Sequence, residues 1–431
     1  MERRTATVSK ELARHHVDIA AISESRLADE GSLTEHGSGY TFYWKGVDSS
    51  KGGVRNHGVG FAIHKDTLKK LEAPPVGINE RLMTLRVPLS KGRYALFVSA
   101  YAPTLNDRDE IKEQFYAELN KILKTAKKTD KVVLLGDFNA RVGSFSEGWR
   151  GILGRQGIGK ANSNGMLLLS QCSEHSLTIT NTVFRQANRL KGTWQHPRSK
   201  HWHMIDFVIV RSRDLSDVLS TRAVLGSDAC DIDHRMVISR MRLQVAPRRR
   251  KSCKGVTRRL DVSRLQSSEV RAKFEDSLRT DFPHARDPHF EGLKAEDHWR
   301  MFRDKVLSSC HETLGTVTRK HQDWFDDNDK DMTEAISRKR AALLEWQRHP
   351  HSAAKASEFR AAKAAAQKKA REVKDAWWKD KALETELYAS RHQHFELFKS
   401  LKSIYGPTSK GLSAVRSEDG SLITDHDKVL L

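Results

Sequence analysis

The chain has 431 residues, and its 75 Lys and Arg against 55 Asp and Glu give a formal net charge of +20. That balance points to a polyanionic partner, nucleic acid first and an anionic membrane surface second, while the length favours two domains over one. No apolar run approaches the roughly 20 residues of a spanning helix, no secretory h-region opens the chain, and Cys172, Cys230, Cys253 and Cys310 form no Cys-x-x-Cys pair, so an intracellular protein without a disulfide framework or a structural zinc site is expected.

In chain order, short apolar runs with β-branched residues alternate with loops and a few helices up to residue 245, as in a layered α/β domain. The runs "HVDIAAIS", "GVGFAIH", "RLMTLRVP", "YALFVSAY", "KVVLLGD", "LTITNTVF", "MIDFVIV" and "RMVISRM" read as strands. Between them, "DEIKEQFYAELNKILKTAKK" places Ile111, Phe115, Leu119, Ile122 and Leu123 on one helical face. A second helix starts in "NSNGMLLLSQCSEH", with Asn162 or Ser163 as its cap.

Residues 246–260, "APRRRKSCKGVTRRL", hold seven basic residues and no acid and read as a basic linker. Residues 261–431 lose the strand signals and turn rich in Ala, Lys, Glu, Arg and Trp, which predicts a mostly α-helical basic region. One or two long helices run through "EFRAAKAAAQKKAREVKDAWWKDKALETELYASRHQHFELFKSLKSIYGP" and stop at Gly406 and Pro407. Phe395, Phe398 and Leu401 mark an apolar face, and Trp324, Trp346, Trp377 and Trp378 read as helix-packing residues.

Polar residues gather at strand ends: Glu24 after "DIAAIS", Tyr101 after "ALFVSA", Asp137 and Asn139 after "VVLLG", Asp206 within "HMIDFVIV", and Asp233 with His234 before "RMVIS". Each alone is explained as a turn former or a cap. Together they are a hard oxygen set suited to Mg²⁺ or Mn²⁺, with an Asp–His pair able to present an imidazolium to a phosphoryl oxygen. Such a set performs metal-assisted phosphodiester hydrolysis. Arg141, Asn164, Arg198 and His201 are weaker candidates for nucleic-acid contact, and Asn164 and Asn181 could line the rim or equally serve as a cap and a turn. A loop from Gly192 to His203 that includes "HPRSKHWH" is a polar, DNA-facing or simply solvated segment.

The ordered motifs "SESR", "SAYAP", "LLGDFNARVG", "HMIDFVIV" and "DHRMV" resemble the endonuclease/exonuclease/phosphatase superfamily across residues 1–245. Longer segments, among them "NGMLLLSQCSEHSLTITNTVF", "RKHQDWFDDN" and "SIYGPTSKG", are similar to the endonuclease and connector of RTE-type LINE retrotransposons, and craniofacial-development-protein-like genes share them. The resemblance implies a DNase I-like four-layer α/β sandwich that nicks target DNA with Mg²⁺ and leaves a 3′-hydroxyl to prime reverse transcription, with DNA and element RNA as partners and the nucleus as the place of action. It implies Glu24 as a metal ligand with Asp233 at or near the metal, Tyr101 on the scissile phosphate or leaving oxygen, and Asp137 activating water. Asn139 would hold the phosphate, and Asp206 would orient His234 onto it. Three departures are expected: the family's first strand is absent, Ile232 replaces a Ser or Thr before Asp-His beside the additional Asp231, and no reverse-transcriptase Asp-Asp motif occurs. A catalytically inactive nucleic-acid or chromatin-binding protein and, behind it, a phosphatase of the same superfamily are the alternatives.

Overall fold

A computed structural model describes residues 4–48, 57–227, 233–246, 260–281, 295–315, 324–327, 329–404, 415–416 and 422–423. Ile232, Asp231, Cys230, Cys253, Gly406, Pro407 and most of the expected linker lie outside them. Two compact units are present: residues 1–248 together with 321–431, and residues 249–320.

In the first unit, α1 (Arg4–Arg14) leads into β1 (Ile19–Ser23), β2 (Glu30–Glu35), β3 (Tyr40–Lys45) and β4 (Val59–His64), which form an antiparallel sheet in the order β1-β4-β3-β2. After a single helical turn, α2 (Lys65–Leu68), a second sheet is built from β5 (Val76–Asn79), β6 (Leu82–Pro88), β7 (Tyr94–Tyr101) and β8 (Lys131–Asp137), with α3 (Asp109–Thr125) crossing over between the last two. Beyond α4 (Ser163–Glu174) come β9 (Leu177–Ile179), the β10–β11 hairpin (Trp194–Gln195 and Trp202–His203), β12 (Asp206–Arg211), and a β13–β14 pair (Val218–Ala223 and Val237–Met241). The second sheet has the order β5-β6-β7-β8-β12-β9, and only β7 and β8 run parallel.

The period-2 pattern of the strands explains the layering. Leu96 and Val98 of β7, Val132 and Leu134 of β8, and Phe207 and Ile209 of β12 face one way and pack with Phe115, Leu119 and Ile122 of α3 and Leu168, Leu169 and Cys172 of α4. The alternate residues, Ala95, Phe97, Val133, Val208 and Val210, face the first sheet and meet Val59, Phe61 and Ile63 of β4. On the far side of the first sheet, Leu12 of α1 packs with Tyr40, Phe42 and Ala62. The layers are therefore helix, sheet, sheet, helix, the four-layer DNase I-like sandwich expected. Asn162 is the cap of α4, its Oδ1 accepting from the Gly165 N–H at 2.8 Å. Ile111 alone of the five predicted face residues of α3 is not buried.

The helical region has its own core. In the second unit, α5 (Ser268–Asp281) and α6 (Ala295–Thr313) are adjacent, and Arg264 Nη1 caps the Leu314 carbonyl at 3.2 Å. The first unit continues with α7 (Trp324–Asp327), α8 (Asp329–Arg348), α9 (Ala353–Ser390) and α10 (His394–Ile404). Trp324, Phe325, Met332, Ala370, Val373 and Trp377 cluster with Ala6 of α1, and Trp346 stacks on Phe359 at 5.3 Å, so three of the four tryptophans pack as expected. Trp378 packs only in part: its ring meets that of Trp377 edge-on at 5.5 Å, but the residue is 42% exposed. Phe395 and Phe398 form an apolar face that is likewise exposed.

One glycine decides how β7 and β8 meet. Gly136 has φ +147°, and a Cβ there would sit 1.9 Å from the Ala100 carbonyl oxygen of the parallel neighbour. Gly136→Ala is therefore expected to lower the free energy of unfolding by about 2–4 kcal/mol. Urea denaturation checks this, and a loss under about 0.5 kcal/mol would show that the strands can part without cost.

Candidate active site

The register of three strands assembles the site. Tyr101 is the last residue of β7, Asp137 the last of β8 and Asp206 the first of β12; Tyr101 pairs with Asp137 across the parallel ladder, and Asp206 pairs with Asp137 across the antiparallel one. All three have the parity of the residues that face the first sheet, so they form a row at the rim of the space between the sheets. At the same rim, Ser99 Oγ donates to Ile22 O and Ser23 Oγ to Ala100 O, each at 3.5 Å, which holds the end of β1 against β7. The next residue, Glu24, adopts φ +52°, and its Oε1 accepts the Tyr101 hydroxyl at 2.8 Å. Arg26 Nη2 donates to the other oxygen at 2.9 Å.

Past Asp137 the chain turns sharply. Asn139 has φ +47°, its N–H donates to Asp137 Oδ1 at 2.8 Å, and its Nδ2 donates to Ala102 O at 2.9 Å, which ties the turn to the end of β7. Asn164 braces the same turn from α4, Nδ2 donating to Asn139 O and Pro103 O at 3.1 Å each, while its buried Oδ1 has no hydrogen-bond partner. Asn181 is a backbone clamp and not a rim residue: it donates to Asp206 O at 3.0 Å and accepts from Val208 N at 2.9 Å.

His234 completes the row. Its Nδ1 lies 3.4 Å from Asp206 Oδ2, an ion pair longer than a well-formed hydrogen bond, and that buried oxygen makes no hydrogen bond of its own. One ligand atom from each of Asp137, Asp206 and His234 lies within 4.8 Å of the others. Burial, and after it the charge of Asp206, hold the Asp137 carboxyl well above the usual carboxylate range, against the pull of His234 and the Asn139 N–H. Burial works against a charged imidazole at His234, but Asp206, with Asp137 and Asp233 behind it, outweighs this and lifts it to about 9. The Tyr101 phenol is raised by burial and by Glu24, which keeps it a hydrogen-bond donor at neutral pH. Two carboxylates with an underused buried oxygen, a third carboxylate nearby and no thiol form a donor set that fits a hard divalent cation.

Asp233 stands beside this cluster, its carbonyl accepting from Gln195 N at 2.7 Å. Arg198 and His201 are exposed in the turn of the β10–β11 hairpin, where His196 Nδ1 accepts the Arg198 and Ser199 N–H groups. The base of that hairpin touches the site: Trp194 bridges His234, their rings 6.4 Å apart. Arg141 is half-buried, its backbone held by Asn162, and its charge depresses the pKa of His203 after burial has done so.

Three further residues carry no pattern in the sequence. Thr193, fully buried, accepts from the N–H groups of Ile205 and Asp206 through Oγ1 at 3.0 and 3.1 Å, and from Arg235 N through its carbonyl at 2.7 Å, joining the Asp206 strand to the His234 loop. Arg81, nearly buried, sends Nη1 to Tyr101 O and Nη2 to His57 Nε2, each at 3.4 Å. The pKa of His57, whose ring lies 6.0 Å from that of Tyr101, is lowered by burial and then by Arg81. Spatial convergence, not local spacing, brings these three to the site.

A profile of the Endonuclease/Exonuclease/phosphatase family matches residues 1–228, more than half of the chain, and the chain belongs to that family. Among individual proteins it is similar to craniofacial development protein 2 of Bos taurus, 32% identical over 241 residues that cover 55% of this chain and 38% of the relative. The protein of the same name from Tragulus javanicus is 29% identical over 283 residues, 64% of this chain and 47% of the relative. The chain thus spans less than half the length of these curated relatives. Among solved structures, a 3′ phosphatase from Neisseria bound to a product DNA hairpin aligns with 56% of this chain and 95% of its own at 18% identity and a TM-score of 0.39. An AP endonuclease from Archaeoglobus fulgidus aligns over the same shares at 14% identity and 0.39.

Thr193→Val keeps the shape and removes the oxygen, leaving the buried Ile205 and Asp206 N–H groups without their acceptor; it is expected to cost about 1–3 kcal/mol of stability, largely restored by Thr193→Ser. Parallel urea titrations of the two variants check this, since equal losses in both would assign the effect to packing alone.

Proposed function

We propose that the chain is a divalent-metal-dependent DNA endonuclease of the non-LTR retrotransposon kind, hydrolysing one phosphodiester of target DNA to leave a 3′-hydroxyl. The observation that carries the reading is the single row Tyr101, Asp137, Asp206 and His234, with Glu24 hydrogen-bonded to Tyr101 at one end. Mg²⁺, with Mn²⁺ as a substitute, would be held by Glu24, with Asp233 at or near it, which leaves Asp137, Asp206 and His234 free for the roles below. When bound it supplies charge stabilisation to the phosphoryl oxygens.

This chain's own groups have separable tasks. Asp137 orients water and takes its proton as the water oxygen bonds to phosphorus and the bond from phosphorus to O3′ breaks. The imidazolium of His234, oriented by Asp206, donates to a non-bridging oxygen, and the Asn139 side chain lies on the same turn. Tyr101, protonated, offers a donor to the phosphate or to the leaving O3′. The net charge of +20 supports attraction of the polyanionic substrate, and the place of action would be the nucleus.

The connector-like motifs support RTE-type LINE elements as the branch. On this reading residues 1–245 nick DNA, residues 246–260 link, and residues 261–431 are the connector that in such elements precedes a reverse transcriptase. Among the described residues β1 ends the four-stranded sheet, and β13–β14 forms a separate two-stranded one. The half-exposed Ile22 of β1 and Met236, just before β14, pack on the same cluster, which supports a place between them for one further strand. This favours one second reading, a chain that binds DNA without cutting it.

Nicking of supercoiled plasmid with Mg²⁺ or EDTA separates the two. Asp137→Ala is expected to reduce the rate at least about 10²-fold while DNA affinity measured in EDTA is retained. Persistence of metal-dependent nicking in Asp137→Ala would sink the assignment. DNA binding with no metal-dependent nicked product from the parent chain would establish the binding-only reading.

A further inference from the structure

We propose that one face of α9, separate from the candidate active site, binds single-stranded nucleic acid, with the phosphates along a row of cations and a base against Trp378. At 100° per residue, Ala356, Arg360, Lys363, Ala364, Gln367, Arg371, Lys374, Trp378, Lys381, Ala382 and Thr385 share one side of the helix, and no acidic residue falls among them. The carboxylates of α9, from Glu358 to Glu386, occupy the other sides. Arg360, Lys363, Arg371 and Lys374 have no carboxylate partner among the described residues; Arg360 and Arg371 return only Nε to their own helix, bonding Ala356 O and Gln367 O at 3.3 Å each. Lys381 is paired with Glu384.

A second, independent feature lies at the end of the row. Trp378 borders a shallow, mainly apolar groove of about 380 Å³ formed with Ala382, Thr385 and Ala389 of α9 and Leu401 of α10, with the Lys381 stem and the Glu386 carboxylate also on its lining. A lone exposed indole is ordinary, and so is a solvated basic face. A row of unpaired cations about 21 Å long, from Arg360 to Lys374, that leads one turn further to an exposed indole and a groove combines the two elements of a single-strand site, charge that tracks the backbone and a flat surface for a base. The buried side of α9, through Ala370, Val373 and Trp377, packs in one cluster with Ala6 of α1, so the row is fixed to the nuclease-like domain. The inference does not require turnover.

Fluorescence anisotropy of the full chain in EDTA, with a labelled single strand of about 20 nucleotides and a duplex of the same length, tests it. Trp378→Ala is expected to weaken single-strand binding roughly 10-fold with the salt slope unchanged, and Trp378→Phe to retain it. The triple variant Arg360→Ala, Arg371→Ala, Lys374→Ala is expected to reduce the steepness of log K against log salt by about 2. These positions are on the exposed side of the helix, and thermal melts of the variants confirm that the fold is kept. Parental affinity in either variant, or duplex binding that falls as much as single-strand binding in Trp378→Ala, would overturn the proposal.

Discussion

The structure turns on how closely β7 and β8 approach where they end. Their parallel register puts Tyr101 beside Asp137, and the approach is possible because Gly136 presents no Cβ to the Ala100 carbonyl. Parallel strands joined through a helix end at the same rim, so a polar group at the end of each must share a small volume. Asp206 enters from an antiparallel neighbour at its first residue and arrives at the same level. The polar row is thus a consequence of register, and α3 and α4 matter to it because they hold the register by covering the far face.

Burying two carboxylates in one row creates an electrostatic conflict that the protein alone resolves incompletely. Asp137 receives one backbone N–H, and Asp206 is opposite His234 at 3.4 Å with an oxygen left over. Burial, with the charge of Asp206 beside it, raises the affinity of Asp137 for a proton, and the neighbouring carboxylates raise that of His234 for its charge. A cation or a proton relieves that strain equally well on electrostatic grounds. One ligand atom from each of Asp137, Asp206 and His234 lies within 4.8 Å of the others, a spacing that could hold a cation.

How much of this was legible in the sequence depends on where the information lies. Asp137, Asn139, Asp206 and Glu24 were visible because each is next to a strand whose apolar alternation marks its end, and strand ends at one rim of an α/β sheet are where sites form. Asp206 was read as lying within its run, whereas Met204 and Ile205 belong to the loop and the strand begins at the aspartate itself. Thr193, Arg81 and His57 were not legible, because a buried threonine, arginine or histidine has meaning only through the distant segment it meets. The strand Glu30–Glu35 escaped for a different reason: "EGSLTE" is polar, lies at a sheet edge and lacks the alternation that reveals a half-buried strand. Trp378 was assigned to packing by residue type, and it packs only in part.

The helical region is coupled to the sandwich more closely than a tethered appendage would be. Glu11 of α1 has a side chain only 2% exposed and pairs with Arg14 at 2.7 Å and with Arg340 of α8 at 2.8 Å. Lys10, one residue earlier, donates to Thr333 at 3.1 Å and lies over the Phe325 ring. A buried carboxylate stripped of all its partners costs several kcal/mol, about 3–5 when fully enclosed, and Glu11 meets this need by pairing within α1 and with α8 at once. The same helix lays Leu12 on Tyr40 and Phe42 of the first sheet. α1 therefore contacts both the first sheet and α8, and its partners on α8 lie more than three hundred residues further along the chain.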